Sequence, residues 1–291
     1  MLQQLASEVG KLRTQTPLRS FKPDSMRVAA IGNCVVNKLS SFLGRQPGVD
    51  SLFCSNLRNW GNHHRDSFLQ RAHEADVVLA LKSERGQLIF SSDEIARMFG
   101  AKVVFVPVIW IEGLDTLQQY GDQGSSMFAG GDAIAASISE NGAAHTYDAL
   151  VRGRLRTDPP GRLARSLAEL RAVEDGGISI SDFIEDRLRD IPQINAIGHP
   201  TGEVILELFA RLCKRMGIPV DRAKLNAPLL VSQASLPRSP RVFSPYDVDD
   251  LGLNYEPDPD WMLQAKSMLA VIQNKLRNGS YVYGGERVDI L

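Results

Sequence analysis

The sequence predicts an α/β protein, a parallel-sheet core with crossover helices followed by a mainly helical C-terminal half. Three observations carry this expectation. Between residues 27 and 108 short branched apolar runs alternate with longer stretches of helical spacing, as successive βαβ units require. The apolar runs are continuous rather than alternating, as strands covered on both faces should be. Beyond Tyr147 the apolar residues recur mostly at helical intervals.

The elements follow in order. Leu2, Leu5, Val9 and Leu12 give residues 1–26 the spacing of an amphipathic helical arm, with no continuous apolar segment of the kind a secretory signal needs. Strands are expected at RVAAIG (27–32), SLFC (51–54), DVVLAL (76–81) and KVVFVPV (102–108), with helices at 35–43, 65–74 and 92–99. Residues 111–145 change character: Gly121, Gly124, Gly130 and Gly131 stand among small and polar residues, so a mobile loop with one short helix is expected there. Helices are then expected at 162–174, after Asp158-Pro159-Pro160, and at 181–189, where Ser179 or Ser181 can cap. GEVILELFARLCKRMG carries Val204, Ile205, Leu208, Phe209, Leu212 and Met216 on one face and stops at Gly217, with Cys213 at the edge of the stripe. The proline-rich stretch 221–259 reads as an extended wrap, and a helix should run from 261 to 276. The expected organisation is an arm (1–26), an α/β catalytic domain (27–219), and a wrap with a terminal helix (220–291) packed on that same domain.

The 291-residue chain can bury a sizeable core without disulfide or metal support. Its 33 Lys and Arg against 34 Asp and Glu argue against a nucleic-acid partner. Three cysteines without CxxC spacing exclude a disulfide framework and a zinc ribbon, and fit a reducing cytoplasm. No apolar run reaches the length of a transmembrane helix. Homo-oligomerisation is left open.

In open parallel sheets reactive groups gather at the carboxyl ends of strands. Cys34 follows the first strand in VAAIGNCVVNKLSSFL and stands at the start of a helix, where unpaired N–H groups and the positive dipole end favour a thiolate and can cradle an oxyanion. An inert buried cysteine is the competing reading. Gly32 suits a sharp turn and Asn33 offers an amide beside the thiol, but the stretch has neither the glycines of a dinucleotide loop nor the ending of a phosphate loop. A cysteine nucleophile wants a histidine base. His63 and His64 lie in a loop, His73 in a charged helix, and His145 could serve only if the mobile region closed. His199, in AIGHPTGEVILELF, precedes Pro200 at the expected first turn of a helix. It reads equally well as a proton acceptor or as a cap. Glu174, Asp175, Asp182 and Asp190 are carboxylates that could orient it. Lys82 and Arg85 after the third strand, and Arg58 after the second, are cations placed to meet phosphates, or ordinary surface charges.

The ordered set of GNC after the first strand, DVVLAL, KVVFVPVIWIEGL, LAELRAVEDGGISISDFIEDRLRD and INAIGHPTGEVILELFARLCKRMGIP resembles the WcbI-type capsular-polysaccharide acetyltransferase family over residues 27–219. That resemblance implies acyl transfer from coenzyme A, as acetyl-CoA or a related thioester, to a sugar hydroxyl of a polysaccharide acceptor, with no metal. It implies Cys34 as the reactive cysteine, His199 as its partner and Glu174 as the acidic member. The family often has glutamine after the cysteine, where this chain has Val35, leaving the Val35 N–H and the Asn33 amide as the expected oxyanion donors. Two other readings compete: a thiol-type esterase or thioesterase, if water replaces the sugar, and a non-catalytic sugar-binding module using aromatics such as Trp60, Trp110 and Tyr120.

Overall fold

The computed structural model describes residues 20–56, 65–82, 89–111, 119–120, 127–128, 131–190, 193–196, 199–225, 227–236, 243–283 and 286–287. The expectations for the arm at residues 1–19, for Arg58, Trp60, His63, His64 and Arg85, and for the glycines at 121, 124 and 130 lie outside them.

Four parallel strands form the sheet: β1 (Met26–Gly32), β2 (Val49–Ser55), β3 (Val77–Lys82) and β4 (Val103–Pro107). The crossovers are α1 (Cys34–Leu43), α2 (Arg65–Glu74) and α3 (Ser92–Phe99). Each expected strand and helix of this region is present, shifted by at most two residues at an end. The strand order is β2-β1-β3-β4, so the chain reverses its direction of travel across the sheet between β1 and β3. Such an order places the ligand crevice of an open sheet at the carboxyl ends of those two strands.

Strand periodicity divides the core. Ala29 and Ile31 of β1, with Val78 and Ala80 of β3, face a cluster built on Phe68, Ala72, Phe90, Ile95 and Phe99 from and around α2 and α3. Completely burying a ring such as Phe68 contributes about 1.5–3 kcal/mol. The opposite face takes α1, whose Val35, Val36, Leu39, Phe42 and Leu43 are buried. Phe42 meets Phe209 in a tilted ring contact at 5.6 Å between centroids. The helix ends follow from local chemistry. Ser91 and Glu94 form a reciprocal capping box at the start of α3. The Lys102 ammonium donates to the carbonyls of Ala72, His73 and Ala75 at the end of α2, where the dipole is negative.

Next come the short antiparallel pair β5 (Gln119–Tyr120) and β6 (Met127–Phe128), then α4 (Gly131–Asn141), α5 (Ala143–Val151), α6 (Pro159–Glu174) and α7 (Ser181–Arg187). The hairpin β7 (Ile194–Ala196) and β8 (His199–Pro200) leads into α8 (Gly202–Met216). It is followed by α9 (Arg222–Leu225), α10 (Pro228–Ala234), α11 (Pro245–Leu251), α12 (Trp261–Arg277) and a last pair, β9 (Val282–Tyr283) and β10 (Glu286–Arg287).

Two expectations need correction here. The second half of the 111–145 stretch is not loop with one short helix: α4 and α5 stand there, and Ile134, Ala135 and Ile138 join Trp261, Met268, Leu269 and Ile272 in a core. Alanines and isoleucines at helical spacing outweighed the glycine-rich composition before them. The 221–259 stretch is not simply extended, because its prolines open helices: Pro228 begins α10 and Pro245 begins α11 behind a Ser244–Asp247 capping box.

The chain divides into two compact units. One gathers the described residues of Met1–Val108, Ala172–Ile180 and Ile205–Ala234; the other gathers those of Ile109–Arg171, Ser181–Val204 and Ser235–Leu291. Among the described residues, no helix is long and apolar enough to cross a membrane, and no group of three or more His, Cys, Asp or Glu could hold a metal ion.

Candidate active site

In the sheet unit the site is built around the end of β1. Gly32 is required there for space rather than for an unusual backbone angle: a Cβ on it would sit 2.5 Å from Val36 Cγ2, 2.7 Å from Val36 Cβ and 3.2 Å from Leu81 Cβ. α1 can therefore fold back close over the strand it follows. Asn33 caps that helix in an extended conformation, its Oδ1 accepting from Val35 N–H at 3.1 Å and Val36 N–H at 3.4 Å. Cys34 is the first helical residue and is half-buried, at the reversal point of the strand order.

Two effects compete at the Cys34 thiol. Burial pushes it above the ordinary cysteine value, while the N–H groups of Val35 and of Cys34 itself pull it down. Burial wins. The expectation that the helix start would favour a thiolate is thus reversed in sign, and the thiol is protonated at neutral pH unless a base takes its proton. Cys54 and Cys213 are buried, and burial drives them up to about 11 and about 12. Cys213 is a core residue, as its place on the apolar stripe predicted.

Val35 carries one of the expected oxyanion donors, and its N–H already has an acceptor in Asn33 Oδ1. An oxyanion would share that donor with the cap, whereas the Asn33 Nδ2 has no acceptor among the described residues.

Lys82 ends β3 and its ammonium donates to the carbonyl of Asp175. Asp175 follows α6 in a segment that runs along the edge strand: Ile178 N–H donates to Phe105 O at 3.1 Å. Glu174, the last residue of α6, uses Oε1 to accept from Ile180 N–H at 2.6 Å and so closes this turn on itself. Lys82 and the Glu174–Asp175 turn are brought together at the strand ends.

A second cation was not singled out from the sequence. Lys38 stands one helical turn beyond Cys34, on the same face of α1, and its Nζ donates to Gln233 O at 2.8 Å. The i, i+4 spacing from Cys34 was the signal available for it. Each ammonium has three protons and has one placed on a carbonyl, so both retain donors for an anionic group.

His199 and His145 belong to the other unit. His199 is half-buried and pairs with Ala196 across the β7–β8 hairpin, which Thr201 extends by donating to Gln193 O at 2.9 Å. Pro200 pairs with Ile194 rather than opening a helix, and α8 begins at Gly202. A proline without an N–H is tolerated in a two-stranded ribbon, where one side of each strand is unpaired. His199 therefore stands on a hairpin and is not a helix cap. His145 is exposed in the first turn of α5, ahead of Asp148, whose carboxyl is held below the usual range chiefly by its hydrogen bond from Arg152. His73 is exposed on α2 with its ring edge toward Phe99 at 5.3 Å.

Residues 27–221 match the family model described as the polysaccharide biosynthesis enzyme WcbI. By sequence, no curated protein matches the chain. Among solved structures, the chain is similar to one of WcbI, described as a novel polysaccharide biosynthesis enzyme in its native form without a disulfide bond between coenzyme A and one of its cysteines. The TM-score is 0.59 at 16% identity, over 87% of this chain and 95% of that one. At that identity the likeness speaks for the fold.

Proposed function

Because the chain belongs to the WcbI family of polysaccharide biosynthesis enzymes, we propose that it transfers an acyl group, acetyl in the simplest case, from a coenzyme A thioester to a sugar hydroxyl through Cys34 and His199. The observation that carries this reading is Cys34 itself: a half-buried thiol at the first position of α1, at the reversal point of a parallel sheet. Coenzyme A supplies the activated thioester when bound, and Lys38 and Lys82 are the described residues that would hold its phosphates.

The chain's own residues account for the proton traffic. His199 takes the Cys34 proton, and the thiolate forms a bond to the acyl carbon; the departing thiolate leaves with that proton, and the acyl group is held on Cys34 Sγ. His199 next takes the proton of the sugar hydroxyl, whose oxygen bonds to the acyl carbon as the C–S bond to Cys34 breaks, and returns that proton to the departing Cys34 thiolate. Asn33 Nδ2 and the Val35 N–H meet the charge that develops on the carbonyl oxygen. A carboxylate holds the imidazole for these transfers, with Glu174 the family's match.

Intact-protein mass measurement with acetyl-CoA should find one acyl group on the wild type and none on Cys34→Ala. Turnover should fall about 1,000-fold or more in Cys34→Ala and in His199→Ala. Glu174→Gln keeps the acceptor for Ile180 N–H while removing the charge, so a loss of turnover there would report the electrostatic role rather than a broken turn. Acyl-CoA consumption at full rate without any sugar acceptor would replace the transferase reading by the thioesterase one.

A further inference from the structure

We propose that Asn56 is the positioning residue for the Gly32–Asn33–Cys34 turn, a role that rests on the reading of Cys34 as the reactive thiol. Asn56 directly follows β2 and is completely buried. Its main chain spans two neighbours: its N–H donates to Gly32 O at 2.9 Å, and its carbonyl accepts from Ile89 N–H at 2.8 Å. Its side chain then pairs with both main-chain groups of one residue, Nδ2 donating to Phe90 O and Oδ1 accepting from Phe90 N–H, each at 3.0 Å.

One buried residue thus ties the end of β1 to the segment leading into α3. That segment is itself well held, because the Phe90 ring is in the core and Ser91 caps α3. Gly32 has no side chain to anchor it, and the main-chain bond from Asn56 to its carbonyl carries the β1–β2 ladder one step past the Gly32–Ser55 register, so the place of residue 56 bears on the place of Gly32. Cys34 lies two residues further on. A buried amide satisfied at both ends is costly to replace, since a side chain that cannot both donate and accept leaves a main-chain group of Phe90 unpaired. A displacement of about 1 Å in a reacting atom can cost about 100-fold in rate, which makes this anchoring relevant to chemistry as well as to folding.

The test compares Asn56→Asp and Asn56→Ala with the wild type by the rate of Cys34 alkylation with iodoacetamide, the kcat and KM of acyl transfer, and thermal melts. Asn56→Ala should lower alkylation and kcat about tenfold at every pH, a barrier change of about 1.4 kcal/mol, with KM moving less. Asn56→Asp should do the same near neutral pH, where its carboxylate opposes Phe90 O. In acid its rate relative to wild type should return toward one, because a neutral carboxyl donates and accepts as the amide does. Alkylation and kcat unchanged in Asn56→Ala, in a protein folded at the assay temperature, would overturn the proposal whatever the melting temperature did. Should neither variant fold, hydrogen exchange on the wild type decides: carboxamidomethylation of Cys34 should change exchange at the Asn56 and Phe90 amides several-fold, and unchanged exchange there would overturn it. Alkylation does not depend on turnover. Full activity in Cys34→Ala would therefore defeat the catalytic reading separately from the positioning one.

Discussion

At the scale of single residues, Cys34 is governed by a contest between desolvation and two peptide dipoles, and desolvation prevails. The consequence is directional. A raised thiol is less ionised at any given pH than a free one, so Cys34 alkylation in the absence of substrate should keep rising beyond the pH at which a free cysteine levels off. Cys54 and Cys213, pushed up to about 11 and about 12 and closed to solvent, should react only after unfolding. Peptide mapping after timed alkylation would check both statements, and native labelling of Cys54 ahead of Cys34 would contradict them. The GNC stretch made Cys34 a candidate through its place after a strand, but the sign of its perturbation was not legible there. A sequence shows the helix start and does not show how much water the fold removes. Asn56 was invisible for a related reason: an asparagine after SLFCS looks like loop until its four hydrogen bonds are known.

At the scale of elements, the strand-to-helix junction rests on Gly32 for clearance and on Asn33 for the cap. Gly32→Ala forces a Cβ to within 2.5 Å of Val36 Cγ2, so either α1 lifts from the sheet or β1 shifts. Denaturant melts should show a loss of about 2 kcal/mol for Gly32→Ala, typical of overpacking. Asn33→Ala should lose about 1 kcal/mol, and Asn33→Ser should recover most of it by restoring a capping oxygen. Equal stability of Asn33→Ala and the wild type would mean that the cap does not hold the helix start. The junction was read from the sequence as a turn that glycine makes easy, and the structure gives the glycine a different reason. The hairpin that carries His199 was read as a helix start, because His-Pro before an amphipathic stripe imitates one. Pairing of Pro200 with Ile194 decided otherwise.

Across the whole molecule, each of the two units is assembled from three separate pieces of chain. The helical one depends on contacts between distant segments: α12 supplies Trp261, Met268, Leu269 and Ile272, and α4 and α5 supply Ile134, Ile138 and Leu150. Ile272→Ala in this core should cost about 3 kcal/mol, the range of large-to-small changes at fully buried sites. Thermal melts followed by tryptophan fluorescence would register it, and an unchanged midpoint would show that α12 is not held by this core. What the sequence determined by itself was local and periodic: four continuous apolar strands, the helices between them, the stripe of α8, and a cysteine at the end of β1. These depend on residues close in the chain, whose spacing is written in the order of the letters. Only the tertiary structure decided how closely α1 folds back over Gly32, the burial that raises Cys34, the bonds of Asn56 and the division into discontinuous units, because each depends on how elements pack in space rather than on the spacing of letters in the chain.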